Sequence, residues 1–263
     1  MNLPEFERVL YKHNPLREVV CQLRFPPILK ISNQEPVEFQ DELRLQYPLF
    51  ETVRTQLPLE ISNVWQQLGL PQQNEVAYSF KSEDQRWNLS ITKDFIALAT
   101  FSYERYEPFK QRLEKALEIF ERIYKPSFYT RVGLRYQDLV IRSKLEIEDK
   151  NWSELIAKNI ASELYDPELS SSIETVTKNL ILNTENGKIN FNHGLVTVKE
   201  AQQNSNEIAY LFDADFYTEQ KIEGNGDVWN ILSQFNQSAR RLFRWSITDT
   251  LHNAMQPQPV DSV

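Results

Sequence analysis

One strand motif occurs twice, and that repetition restricts the chain more than any other feature. Val20 to Leu29 reads VCQLRFPPIL and Thr130 to Arg142 reads TRVGLRYQDLVIR. In both, Leu-Arg-aromatic follows apolar strand residues and precedes two spacers and two aliphatics: Leu23-Arg24-Phe25, then Leu134-Arg135-Tyr136. Two halves are therefore expected, residues 14–129 and 130–257, each opening on the same strand. Alternation within Arg17–Phe25 sets Val19, Cys21, Leu23 and Phe25 against Glu18, Val20, Gln22 and Arg24, the pattern of a half-buried strand.

The elements that follow read in the same order in each half. In the first, Pro36–Phe50 has a helical stripe of Phe39, Leu43 and Tyr47, with Pro36 suited to the first turn. Leu57–Asn74 is a connector rich in proline and glutamine. Glu75–Phe80, Arg86–Thr92 and Phe95–Tyr103 then alternate as a three-stranded meander. Pro108–Tyr124 repeats apolar residues at three- and four-residue steps, which predicts an amphipathic helix.

In the second half, Trp152–Leu164 predicts a helix with Leu155, Ile156, Ile160 and Leu164 on one face. Ile173–Thr184, Lys188–Phe191, Leu195–Val198 and Glu207–Thr218 read as strands, with Asn186-Gly187 in a tight turn. Gln202–Asn206 and Lys221–Asp227 are polar loops. Val228 to Met255 carries one long apolar stripe and predicts a single helix with Asp227 as its N-cap. The lead-in 1–16 and the tail after Gln256 carry no element in this reading. The fold expected is α+β, two pseudo-repeated halves of strand, helix, antiparallel meander and long helix, with helices packed on one face of the sheets.

Composition narrows function by exclusion. A net charge of −8 repels a phosphate backbone unless cations are concentrated, and the densest basic spot, Arg240-Arg241-Leu242-Phe243-Arg244, lies inside the amphipathic final helix. Nucleic acid is thus disfavoured. The single cysteine, Cys21, excludes an intramolecular disulfide and sits in an apolar strand, as a buried structural thiol would. No apolar run is long enough to span a bilayer and no signal-peptide pattern opens the chain, so a cytoplasmic location is the default.

The opening NPLREVVCQLRFPPI, the central TRVGLRYQDLV and the late LFDADFY before a long helix containing Phe235-Asn236 resemble a sporadically distributed prokaryotic family of about this chain length with no assigned function. The resemblance covers Asn14 to Pro257. It brings no catalytic residues, and patchy occurrence implies an accessory role such as defence, toxin neutralisation or mobile-element cargo. The element order also resembles the duplicated ligand-binding modules of multidrug sensors, a likeness of fold order only.

Walker A, dinucleotide, nucleophile-elbow and HExxH patterns are absent from the sequence, so no cofactor is implied and an enzyme is disfavoured. Three constellations remain. Asp213 and Asp215 share a strand face by period two, the spacing for a divalent cation or for solvated carboxylates. Gln22, Arg24, Arg131, Arg135 and Gln137 lie on the less apolar strand faces. Two guanidiniums there grip an anion in a shared cleft, or each pairs with an acid on its own sheet, such as Glu18 or Asp138. Trp229, Arg241, Arg244 and Trp245 lie on the final helix and suit a docking surface or a homodimer contact. The leading expectation is a non-enzymatic protein-interaction module with a protein partner encoded beside it. The alternatives are an anion- or small-molecule-binding domain near Arg24 and Arg135, its apolar pocket lined by aromatics such as Trp65 and Trp87, and a metal-dependent hydrolase or nuclease using Asp213 and Asp215.

Overall fold

A computed structural model describes residues 3–54, 76–199 and 206–260. The connector Leu57–Asn74 with Trp65, and Gln202 to Ser205 of the polar loop, lie outside the described residues. Among those described are 6 α-helices and 11 strands, the strands in antiparallel sheets, so the α+β expectation holds. The chain divides into two compact units. One comprises Glu18–Leu134 and Thr218–Leu232; the other comprises Met1–Arg17, Arg135–Tyr217 and Ser233–Val263. They are called here the amino unit and the carboxyl unit.

The amino unit holds most of β2 (Leu16–Arg24), α1 (Leu29–Asn33), α2 (Val37–Leu43), β3 (Leu49–Arg54), β4 (Val76–Lys81), β5 (Trp87–Ile91), β6 (Phe95–Thr100) and α3 (Tyr106–Tyr124). It also holds the start of β7 (Arg131–Val140) and of α5 (Asn225–Ser246). Its strand order is β3-β4-β5-β6-β2. Register pairs Cys21 with Leu98 and Leu23 with Ile96, so the apolar parity of β2 continues across the meander. On that face lies α3, whose Phe109, Leu113, Ala116, Leu117 and Phe120 are buried. Phe120 is the hub, its ring 5.0 Å from Phe25 and 6.1 Å from Phe39, and Phe39 lies 5.4 Å from Phe80. The helix stops where Lys125 takes φ 49, with Pro126 preventing another turn. Helix α2 is shorter than the sequence suggests. It ends at Leu43, and Leu49 and Phe50, the latter a strand-favouring residue, belong to β3.

The carboxyl unit holds β1 (Val9–Tyr11), the rest of β7, α4 (Trp152–Leu155), β8 (Lys178–Thr184), β9 (Gly187–Lys199), β10 (Asn206–Thr218) up to Tyr217, the rest of α5, α6 (Asp249–Ala254) and β11 (Pro257–Pro259). Its order is β7-β10-β9-β8, with β1 and β11 forming a separate pair. Apolar residues of α5 cover the even-numbered face of β10: Phe216 lies 6.3 Å from Phe235 and Phe212 lies 5.5 Å from Phe243.

Five expectations fail in this unit, one of them the strand read from Ile173, which begins only at Lys178. The helix over Trp152–Leu164 ends at Leu155. Ile156 turns extended to bridge Ile247, so Leu155, Ile156 and Leu164 are buried without a continuous helix. The final helix is likewise two helices. Ser246 O accepts from Ala157 N at 3.0 Å, Thr248 N donates to Leu155 O at 3.0 Å, and Thr248 then caps α6 by accepting from Leu251 N. The apolar stripe continues through the break, with Leu232, Phe235 and Leu242 buried on α5, Ile247 at the break and Leu251 on α6. The two strands read at Lys188–Phe191 and Leu195–Val198 are one, β9, which Gly194 continues at φ +150; a Cβ there would collide with Val176 O. Finally, the tail is ordered as β11, with Tyr11 opposite Pro257 and Val9 opposite Pro259.

Truncating the aromatic hub tests this account. Phe120→Ala is expected to cost about 3–5 kcal/mol in urea unfolding, and Thr248→Ala about 1 kcal/mol through loss of the cap. Equal costs for the two would contradict the packing described.

Candidate functional site

The face of the carboxyl sheet opposite α5 is polar. Odd-numbered residues of β10 occupy it, and register aligns them with β9 and β8 in rows: Asp213 with Asn192 and Asn179, Asp215 with Asn190 and Ile181, Tyr217 with Lys188 and Asn183. Odd-numbered Arg135 of β7 meets this face. Its Nε donates to Asp213 Oδ1 at 2.6 Å and its Nη2 to Asp213 Oδ2 at 2.5 Å. The side chains keep 5% and 9% of their exposure, so the pair stands almost wholly out of water. A bidentate geometry with two charge-assisted bonds is what makes such burial tolerable.

Beyond the pair the face is built of amides. Asn179 Nδ2 donates to Asn190 Oδ1 at 2.9 Å and to Asn192 Oδ1, and Asn192 Nδ2 reaches Asn190 Oδ1 at 3.5 Å. These bonds fix which way each amide points and present a rigid array of donors and acceptors. Asn190, Asn192 and Asn179 were not singled out from sequence. The alternation Ile189-Asn190-Phe191-Asn192 is the signal that finds them, since only the polar parity of a two-faced strand reads that way.

The opposite face carries the histidine. His193 Nδ1 lies 2.9 Å from Tyr210 Oη, and the imidazole stacks 4.7 Å from Phe191. Burial, then the charge of Lys178, pushes its pKa down to about 4. His252 Nδ1 likewise meets Tyr11 Oη at 2.8 Å, and burial lowers that histidine too. Half-buried Asp138 has the same parity as Tyr136, whose hydroxyl donates to Asn236 on α5 at 3.0 Å. Desolvation first, and the charge of Asp213 second, push the Asp138 carboxyl up to about 7.

The amino unit places the other candidates. Arg24 pairs with Asp94 at 3.3 Å, from the β5–β6 turn, and Arg131 Nη1 donates to Gln22 Oε1 at 3.1 Å. Gly133 makes that reach possible, since a Cβ there would strike the Arg131 guanidinium. Arg24 and Arg135 thus face Asp94 and Asp213 respectively. Trp229 lies beneath Lys110, whose Nζ is 5.5 Å from the ring centroid. In the carboxyl unit Arg241 pairs with Glu5 at 2.7 Å, Arg244 pairs with Asp249 and lies 5.2 Å over Phe6, and Trp245 and Gln137 are half-buried. Cys21 is fully buried.

Among the described residues no group of three or more His, Cys, Asp or Glu side chains is placed to hold a metal ion. Asp213 and Asp215 share a face as expected, with Asp213 already held by Arg135. Two recesses lie in the amino unit, one of about 530 Å³ walled by Lys30, Pro36 and Tyr124, the other of about 230 Å³ beside Tyr129 and Ile222; neither wall includes Arg24. No described helix is long and apolar enough to cross a membrane. Compared with known proteins, the chain matches no family model and no curated sequence.

Two predictions follow from these environments. Arg135→Met leaves Asp213 buried and uncompensated, at a cost of about 3–5 kcal/mol, while Arg135→Met with Asp213→Leu recovers most of it; denaturant unfolding of the parent, Arg135→Met, Asp213→Leu and the double variant measures the cycle. The second concerns pH. Asp138 holds its proton more tightly folded than unfolded, so its contribution is present at low pH and lost as pH rises from about 4 to about 7. His193 is the reverse: its contribution is lost as pH falls from 6.5 towards about 4. Relative to the parent, Asp138→Asn should gain thermal stability above pH 7, and His193→Gln should lose least at pH 4. Parallel melting curves across pH for all three proteins would refute both assignments.

Proposed function

We propose that the chain is a non-enzymatic binding module whose working surface is the polar face of β7, β10, β9 and β8, and that this face docks a protein partner. The observation that carries the reading is that the side chains best suited to chemistry are each engaged by a neighbour: Asp213 by Arg135, His193 by Tyr210, His252 by Tyr11. A carboxylate whose two oxygens both accept from one guanidinium is poorly placed to ligate a metal. What the face offers is shape and directed polarity, from Asn179, Asn190, Asn192, Asp215 and Lys188. With a net charge of −8, its complement is a polar or basic protein surface rather than a phosphate backbone. An accessory role, with the partner encoded beside this chain, fits the family resemblance. Docking on the final helix has less support, because Arg241 and Arg244 are paired within their own unit. So has anion capture by Arg24 and Arg135, since each already holds a carboxylate.

A duplicated plan belongs to the same reading. In the amino unit the meander β4-β5-β6 brings β6 beside β2, and in the carboxyl unit the meander β8-β9-β10 brings β10 beside β7. In each case the meander is followed by a long amphipathic helix, α3 or α5. Leu-Arg-aromatic sits on or at the end of both opening strands, β2 and β7.

Affinity capture with tagged protein in the native host, alongside the products of neighbouring genes, tests the function. A partner should be retained by the parent and by Trp245→Ala, and lost about tenfold or more with Asn190→Arg and Asn192→Arg, which place bulk and charge at the centre of the face. A metal-dependent hydrolytic activity abolished by Asp215→Asn would overturn the reading.

A further inference from the structure

We infer that two copies of this chain associate through β8, edge to edge and antiparallel about a two-fold axis at Ile181. The strand is the outermost of the carboxyl sheet and among the described elements pairs only with β9. Sheet edges are ordinarily protected by charge, proline, a bulge or extreme shortness. From Asn179 to Asn183 this strand has none of these, and its residues are largely exposed: Leu180 keeps 39% of its exposure and Ile181 56%.

Main-chain geometry says which groups face outward. Val176 N donates to Leu195 O at 3.1 Å, and the same register continues through Lys178 opposite His193 to Thr184 opposite Gly187. Hydrogen-bonded pairs alternate along an antiparallel ladder, so Lys178, Leu180, Leu182 and Thr184 bond to β9. The N–H and C=O of Asn179, Ile181 and Asn183 then point to the open edge.

The occupant is set by sequence. Asn179-Leu180-Ile181-Leu182-Asn183 is a palindrome. An antiparallel partner centred on Ile181 sets Ile181 opposite its copy, each leucine opposite a leucine and each asparagine opposite an asparagine. The residues so aligned at 179, 181 and 183 are the ones whose main-chain groups are outward, giving about six hydrogen bonds across the axis. Any shift by one residue would face bonded groups against open ones. Leu180 and Leu182 extend the apolar layer of Phe191 and Ile189, so the copy's leucines continue that layer across the axis. Such an isologous contact closes on itself. Strand β3, outermost in the order of the amino unit, carries Glu51 at its centre and is not self-complementary.

The inference stands independently of what the polar face binds. Light scattering on the full chain across a dilution series should give twice the chain mass of 31.1 kDa, falling to one on dilution. Ile181→Lys, which sets two ammonium groups face to face at the axis, should stay at one chain mass, and Trp245→Ala should behave as the parent. In a second arm, Ile181→Cys should cross-link to a dimer on oxidation, its Cα separation of about 5.5 Å suiting a disulfide. Thr184→Cys should not, because Thr184 faces Lys178 of the copy. A parent at one chain mass throughout, a dimer indifferent to Ile181→Lys, or equal cross-linking by both cysteines would overturn the inference.

Discussion

A guanidinium and a carboxylate removed from water have to find one another or the fold fails, and Arg135 with Asp213 is the place where this chain accepts that condition. The two charges come from β7 and β10, far apart in sequence. Slipping either strand by one residue would turn its charge to the face covered by α5, where Phe212, Phe216, Phe235 and Leu242 are packed. The pair therefore fixes register more than it adds stability, since isolated buried ion pairs roughly balance attraction against lost hydration. Once that register is set, every odd position of β10 is polar-facing and every even one apolar-facing, and β9 and β8 inherit the division through their own pairing.

The division shapes how the unit responds to acid. Asp138 and His193 are both moved from their ordinary pKa values mainly by burial, in opposite senses. One favours the folded chain at low pH and the other disfavours it there, so across the mildly acid range the two slopes offset. A half-buried carboxyl and a buried imidazole in one small unit thus leave it less pH-sensitive than either would alone.

How much of this the sequence discloses depends on whether a residue's partners are local. The strands at Leu16–Arg24, Arg131–Val140 and Asn206–Thr218 are legible because their alternation needs only a covered side. Helix α3 is legible because its stripe is long and ends at a proline. The break at Ile247 is not, since it depends on hydrogen bonds to Leu155 and Ala157, some ninety residues away, and the apolar spacing passes through it undisturbed. The pairing of Val9–Tyr11 with Pro257–Pro259 is hidden for the same reason, and two prolines argue against a strand on propensity alone. At the site, period two places Asp213 and Asp215 together, but the identity of the acid facing Arg135 requires the order of strands across the sheet.

On the proposed reading, the polar face would draw its selectivity from the same economy of partners. Asn179, Asn190 and Asn192 are oriented by one another before anything binds, so the loss of side-chain freedom falls on folding rather than on association. Prearranged amides are also unforgiving. A surface that covers them without answering their donors and acceptors leaves polar groups stripped of water, at about 1–3 kcal/mol each. Several such groups in one patch would reject a wrong partner more strongly than they hold a right one, and that is how the proposed docking face would discriminate.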